Sequence, residues 1–157
     1  MCWMSKIFKK PTPFKKPTPL EMSPSDWLPL KAITSGNGIL IVDVNQLLPG
    51  LAKPPKIWIP SIPATGSMLW NFSHEHNNIL VAGSDEIDHQ TIIDYLQIGD
   101  IAVYEPSPMM LIIHRVIGIS SDEQGRYFIF KGDNNPIEDP YRVRDKQIKW
   151  VSIGTIF

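Results

Sequence analysis

The sequence predicts a mainly β protein, and three observations support this fold class. Short segments rich in β-branched and aromatic residues recur between turn-forming residues from residue 56 onward. Only one segment has apolar residues at convincing helical spacing. The chain has 157 residues, of which 43% are hydrophobic, and this fits one domain with a sizeable core. Short strands at this spacing indicate a coiled sheet or barrel-like body with one or two short helices.

The predicted elements follow one another along the chain. The strands are expected at residues 38–44, 57–59, 79–82, 100–104, 110–119, 126–131 and 149–157. The helix is expected at residues 88–96, because it has an acidic start and carries Ile92, Ile93 and Leu96 on one face.

The N-terminal segment differs from the rest in composition. Lys-Lys-Pro-Thr-Pro occurs twice, at residues 9–13 and 15–19, and residues 1–21 hold five lysines and one glutamate, a net charge of +4. Dense prolines deny both helix and sheet hydrogen bonds. We therefore expect a flexible basic tail over residues 1–22 and one β-rich domain over residues 23–157, with the chemically informative motifs in 56–157. The tail is either an arm that contacts anionic membrane through residues 1–20 or a solubilising leader.

Charge and composition exclude several classes of function. The net charge of −1 gives no field for nucleic acid, and the single cysteine, Cys2, excludes an internal disulfide and a cysteine-based zinc site. Apolar runs are far shorter than the roughly 20 residues of a membrane helix, and no signal-peptide run is evident. We expect a cytoplasmic or peripheral membrane protein without a transmembrane segment.

Two residues are candidates for nucleophilic or acid–base chemistry. Ser67 follows Gly66 where an extended segment turns, so it is either an exposed nucleophile beside backbone N–H groups or part of a polar turn. His114 lies in a predicted strand, on one face with Ile112 and Val116. Apolar neighbours favour the neutral imidazole, which can accept a proton from serine. The alternative is a hydrogen-bonded core histidine.

Two polar segments complete the set of candidates. Asp133 and Asp139 lie in a turn after strand 126–131, where they either cap their own backbone or orient a histidine. The segment 74–76, His-Glu-His, and His89 carry side chains that zinc can bind, but the polar, loop-like composition favours a solvated loop.

In chain order these motifs resemble those of the type I signal peptidase family. The matching segments are Gly-Ser-Met at 66–68, Ile-Gly-Asp-Ile-Ala-Val-Tyr at 98–104, Ile-Ile-His-Arg-Val-Ile at 112–117 and Lys-Gly-Asp-Asn-Asn at 131–135, followed by Asp139. The resemblance is to the archaeal and endoplasmic-reticulum branch, whose general base is histidine. A lysine takes that place in the bacterial branch and in LexA-like repressors. The resemblance implies a signal-peptidase or LexA-like coiled β-sheet or barrel-like fold.

The resemblance also implies roles for particular residues. Ser67 would be the nucleophile and His114 the general base, with Asp139 orienting the histidine and Asp133 as a supporting carboxylate. Thr65 and the Ser67 N–H would bind the oxyanion. Family substrates bind as an added β-strand with small residues at the first and third positions before the cut.

Trp58, Ile59 and Met68 are the expected substrate contacts. The family usually has proline two residues after the methionine, whereas Met68 is followed by Leu-Trp-Asn, so the substrate side differs. The resulting expectation is a soluble serine endopeptidase that needs no metal or organic cofactor and takes a peptide or protein leader as its substrate.

Two other functions stay open at this point. One is a catalytically silent peptide-binding or assembly module that keeps the same sheet. The other is a self-processing LexA-like regulator, since Ala82-Gly83 resembles the scissile pair of such proteins, although no helix-turn-helix pattern precedes the body.

The basic tail yields a testable prediction. If it is a membrane arm, deleting residues 1–20 weakens co-sedimentation with anionic vesicles, and the difference disappears at high salt because screening removes the attraction. Hydrolysis of a short water-soluble peptide stays unchanged. Equal vesicle binding by intact and truncated protein would leave the tail as a solubilising leader.

Overall fold

A computed structural model describes residues 33–34, 40–41, 50–61, 65–68 and 77–156, and this part of the chain is mainly β, as predicted. The elements are β1 (Ile33–Thr34), β2 (Leu40–Ile41), β3 (Lys56–Trp58), β4 (Asn77–Ala82), helix α1 (Glu86–Asp94), β5 (Ile101–Ser107), β6 (Met110–Asp122), β7 (Gly125–Lys131), a 3-10 turn (Asp145–Gln147) and β8 (Ile148–Ile156). 

Six strands form one antiparallel sheet in the order β3-β4-β8-β5-β6-β7, and β1 pairs with β2. The hydrogen-bonded ladder of the described strands ends at β3 and at β7. The strands described therefore form an open sheet and do not close into a hydrogen-bonded barrel.

The main core lies on one face of the sheet, where it is covered by Ile92 and Ile93 of helix α1 and by Leu96 just after the helix. The strands and the segment before β8 contribute the other buried members, which are Ile79, Val81, Ala102, Tyr104, Val116, Phe128, Phe130, Val143, Ile148, Val151 and Ile153. A smaller cluster contains Met68 and Ile101, with Ile113 packed against them. Register places Ile101 and Ile113 on the other face of the sheet from His114, since strand side chains alternate.

Helix α1 begins two residues earlier than predicted and also ends two residues earlier. The reason is Asp85, whose side chain accepts a hydrogen bond from the Asp88 N–H at 3.0 Å and so caps the helix. Asp88, taken from the sequence as the acidic start, is buried instead and accepts hydrogen bonds from the Ala52 and Lys53 N–H groups at 2.9 and 3.1 Å. Asp88 thus ties the segment before β3 to the helix.

Several predicted features lie wholly or partly outside the described residues. These are the tail at 1–22, most of the strand expected at 38–44, and the 74–76 segment. His89 is described, and both ring nitrogens are engaged, Nδ1 with the Gly83 N–H at 3.3 Å and Nε2 with the Ile148 carbonyl at 2.9 Å. In the described part of the chain, no three metal-binding side chains cluster, and no helix has the length and apolarity to cross a membrane.

Gly83 is required where helix α1 crosses the end of β4. A Cβ at this position would lie 2.0 Å from the backbone nitrogen of His89. We expect Gly83→Ala to lower the free energy of unfolding by about 3 kcal/mol, because the helix must move away from the sheet. Urea denaturation followed by tryptophan fluorescence measures this loss.

Gly118→Ala is the matched control. Its Cβ would lie 3.2 Å from the end of the flexible Ile129 side chain, so we expect a loss below about 1 kcal/mol. Equal stability of the Gly83 variant and the wild type would contradict the described packing of α1.

Candidate active site

Three side chains from separate parts of the chain meet at the middle of β6. His114 pairs with Ala102 of β5 and is only 7% exposed. Its Nε2 lies 3.0 Å from Ser67 Oγ, and its Nδ1 lies 2.6 Å from Asp139 Oδ2. The structure therefore brings together Ser67, His114 and Asp139, the residues for which the family resemblance implies the roles of nucleophile, general base and orienting carboxylate.

The hydrogen-bond partners determine which nitrogen of His114 carries a proton in the neutral ring. An ionised carboxylate can only accept hydrogen bonds, so Nδ1 is the donor to Asp139. Nε2 is then the free acceptor that faces the Ser67 hydroxyl. This tautomer allows the ring to take a proton from the serine.

The Ser67 loop is held by the turn that follows β7. The Ser67 carbonyl accepts a hydrogen bond from the Asn134 N–H at 2.8 Å, and the Gly66 carbonyl accepts one from Asn134 Nδ2 at 3.1 Å. Gly66 has a φ of +76°, a conformation that glycine adopts without strain. Gly132 permits the close approach, because a Cβ there would lie 2.8 Å from the Ser67 carbonyl oxygen.

Asp139 reaches the site because the chain turns back beside β7. The Asp139 N–H donates to the Phe130 carbonyl at 2.8 Å, and Val143 forms an antiparallel bridge with Phe128. Phe130 in turn pairs with Val116 of β6. The returning segment is thus fixed to the sheet by backbone bonds.

The structure pairs Asp133 with Arg115. The carboxylate accepts two hydrogen bonds from the Arg115 guanidinium, from Nε at 2.8 Å and from Nη2 at 2.7 Å. Arg115 also donates from Nη1 to the Gly99 carbonyl at 2.6 Å. Paired, planar contacts of this kind fix geometry well, so Asp133 supports the site through Arg115 and holds the turn that carries Asn134.

Tyr104 is a member of the site that the sequence analysis did not identify. Its hydroxyl donates to Asp139 Oδ2 at 2.7 Å, the same oxygen that accepts from His114. Burial, and then the hydrogen bond to Asp139, raise the pKa of the Tyr104 hydroxyl well above its usual range. The only available signal was a tyrosine in an otherwise apolar strand, which does not reveal its partner.

The remaining predicted residues have different positions. Thr65 Oγ1 lies 3.4 Å from Ser67 Oγ. Trp58 and Ile59 are exposed at the edge strand β3 and just after it, where a peptide can reach them. Met68, in contrast, is 2% exposed and packs against Ile101, so it offers almost no surface to a substrate. The sequence predicts Met68 as a substrate contact because it follows Ser67, but its buried side chain anchors the loop instead.

An apolar cavity of about 330 Å³ lies beside β6, the strand that carries His114. It is lined by Trp58, Pro60, Ser61, Leu80, Val103, Leu111 and Ile113. Ile113 directly precedes His114 in β6, but its side chain lies on the opposite face of the sheet, so the cavity flanks the strand that carries the imidazole.

Comparisons with known proteins leave the family open. No family model matches the chain, and no solved structure matches it. A stretch of 43 residues is 54% identical to an uncharacterized protein of Methanocaldococcus jannaschii. This stretch is 27% of the present chain and spans about a fifth (21%) of that protein's length. The assignment of chemistry therefore depends on the site itself.

Gly132 provides a test of how the site is assembled. Gly132→Ala pushes the Ser67 carbonyl away from the turn, and we expect the reactivity of Ser67 toward an acylating probe to fall by about 100-fold, since a displacement near 1 Å has such effects. Mass spectrometry of the labelled protein over time measures the rate.

Gly125→Ala is the control for lost stability alone. Gly125 has a φ of +101° in the β6–β7 turn, so alanine there costs about 1 kcal/mol without touching the Ser67 loop. Unchanged labelling of the Gly132 variant would show that the close approach to Ser67 is not needed.

Proposed function

We propose that this protein is a serine endopeptidase of the signal-peptidase type, which cleaves a peptide or leader after a small residue through an acyl-enzyme on Ser67. The observation that carries the proposal is the line of hydrogen bonds from Ser67 Oγ through the His114 ring to Asp139 Oδ2. A serine facing a carboxylate-oriented imidazole is the arrangement that makes an alcohol nucleophilic. The resemblance of the motifs to the histidine branch of type I signal peptidases supports the same assignment.

The chemistry follows from the positions of these groups. His114 Nε2 takes the Ser67 hydroxyl proton as Oγ bonds to the substrate carbonyl carbon, and Asp139 stabilises the resulting imidazolium. Thr65 and the Ser67 N–H are the proposed donors to the oxyanion. His114 then gives its proton to the leaving amine, the C–N bond breaks, and an ester remains on Ser67. Water, deprotonated by His114, then attacks the ester carbon, the bond from that carbon to Ser67 Oγ breaks, and His114 returns the proton to Oγ as the peptide carboxylate leaves.

A peptide substrate can bind along β6 beside the nucleophile. Pairing with β7 begins only at Arg115, so among the described strands residues 110–114 pair with β5 alone. The backbone groups of Val116 bond toward the start of β5, and because this direction alternates, those of Leu111 and Ile113 face away from β5. An extended peptide can therefore add to this edge through main-chain hydrogen bonds.

The apolar cavity supports substrate binding at this edge. Leu111 and Ile113 line it, as does Trp58. A side chain of the added strand that points into the cavity gains apolar contact, while the hydrogen bonds of the strand hold the scissile carbonyl next to Ser67.

The self-processing alternative has less support from the geometry. Ala82 is 6% exposed, and the Gly83 backbone lies against the backbone of helix α1 at His89. Cleavage between Ala82 and Gly83 would require that helix to leave the sheet.

The deciding experiment is labelling with a serine-reactive acylating probe, followed by mass mapping. Modification of Ser67 in the folded protein is the expected result, because His114 activates this hydroxyl alone. Ser107, exposed at the end of β5, is the internal control and should stay unmodified. A folded protein that binds an extended peptide but is never acylated would instead be the silent module.

Two substitutions test the proposed roles in cleavage. Ser67→Ala should abolish hydrolysis of a small-residue peptide with little change in thermal stability, since the hydroxyl contributes little to packing. Asp139→Asn should lower kcat by about 10³-fold or more, because an amide favours the wrong imidazole tautomer.

Initial rates on a fluorogenic peptide, together with melting curves, measure both effects. Ser107→Ala, the matched serine substitution, should retain wild-type activity. Full hydrolysis by the Ser67 variant would end the assignment.

A further inference from the structure

Asp139 Oδ2 accepts hydrogen bonds from two buried donors. Nδ1 of His114 lies 2.6 Å from this oxygen, and the hydroxyl oxygen of Tyr104 lies 2.7 Å from it. We propose that Tyr104 is a positioning residue, which fixes the Asp139 carboxylate and sets the pH range in which His114 can act as a base. The inference rests on the proposed function, and it adds Tyr104 to Ser67, His114 and Asp139 as a residue on which the proposed reaction depends.

The Tyr104 ring cannot easily move. It is fully buried in β5 and stacks on Phe130 of β7, with the ring centroids 4.6 Å apart. Tyr141 packs against it from the side at 6.3 Å. These rings hold the hydroxyl at a fixed point, so a carboxylate that bonds to it is held in one rotamer. Within the described part of the chain, the hydrogen bond from His114 is the other side-chain bond that holds this carboxylate.

The second donor also weakens the electrostatic effect of Asp139 on the imidazole. A hydrogen bond from Tyr104 draws charge from the oxygen that stabilises the imidazolium, so the charged ring is stabilised less than it would be by a carboxylate with one donor. Losing the Tyr104 hydroxyl should therefore let His114 protonate at higher pH. A protonated His114 cannot accept the Ser67 proton, so the base would be lost at the acidic end of the working range.

The surrounding groups allow this effect to be isolated. Among the described residues, the titratable groups that bond to the carboxylate or pack on the Tyr104 ring are His114 from β6 and Tyr141 from the segment that carries Asp139. From β7 the packed residue is Phe130, which does not titrate. Asp133, the other nearby carboxylate of the turn, is bonded to Arg115. The raised pKa of Tyr104 keeps its hydroxyl protonated, and hence a donor, throughout the pH range of interest.

The test uses the full chain with nitrogen-15-labelled histidine and follows the His114 ring by NMR as the pH is varied. Tyr104→Phe removes the hydroxyl and keeps the ring stack. We expect the midpoint of the His114 titration to rise by about half a pH unit. The acid limb of the Ser67 acylation rate should move in the same direction. Tyr141→Phe makes the same chemical change on a neighbouring ring that does not reach Asp139, and should leave both curves in place.

A second variant covers the case in which Tyr104→Phe fails to fold. Site-specific 3-fluorotyrosine at position 104 makes the hydroxyl a stronger donor without changing its shape, so the His114 midpoint should fall instead of rise. Titrations that coincide with the wild type in the folded variants would overturn the role of Tyr104. Failure of the proposed function has a different signature, namely a wild-type protein that is not acylated at Ser67. The NMR titration decides the Tyr104 proposal even then, because it needs no turnover.

Discussion

The site depends on the buried hydrogen bond between Asp139 Oδ2 and His114 Nδ1. The two side chains are only 8% and 9% exposed, so water cannot replace either partner, and a carboxylate left alone there would be costly. The carboxylate instead has two donors on one oxygen, from His114 and Tyr104. One consequence is that the imidazole is fixed with its unprotonated nitrogen toward Ser67, the condition on which its use as a base depends.

The fold assembles this bond by bringing distant segments to one end of a strand pair. The chain leaves β7 at Lys131, makes the turn that holds the Ser67 loop, and returns along β7 to deliver Asp139. One turn therefore holds the loop of Ser67, the proposed nucleophile, and leads to the Asp139 carboxylate. The two aspartates have different partners. Asp133 binds Arg115 and keeps the turn in place, whereas Asp139 binds His114. This division explains how two carboxylates lie close in sequence without competing for the same imidazole.

The sequence could predict those features that depend on neighbouring residues in the chain, but not those that depend on contacts between distant segments. Period-two alternation placed His114 beside Val116 on a buried face, and the strands from β4 to β8 were predicted within a few residues, because burial patterns are local. The approach of Ser67 to His114 was expected only from the resemblance to a family, since no spacing rule brings a loop to a strand 47 residues away.

Tyr104 could not be found from the sequence, because a tyrosine in an apolar strand looks like a core residue until the partner of its hydroxyl is known. The sequence predicts Met68 on the substrate side because it follows Ser67, whereas packing against Ile101 decides its position.

The opposite placement of Ser67 and Met68 shows why strand register matters to the chemistry. Ser67 meets His114 on the main core face, while Met68 packs with Ile113 on the other face, so the loop wraps around β6 where pairing with β7 stops. A slip of β6 by one residue would exchange His114 for Ile113 on the core face and move the imidazole to the wrong side of the sheet. The pairing of His114 with Ala102, and of Val116 with Phe130, thus fixes which side chain Ser67 meets. The β6 edge that stays unpaired in the described sheet lies next to Ser67, so the register that brings His114 to Ser67 also leaves this edge open for the extended peptide that we propose as substrate.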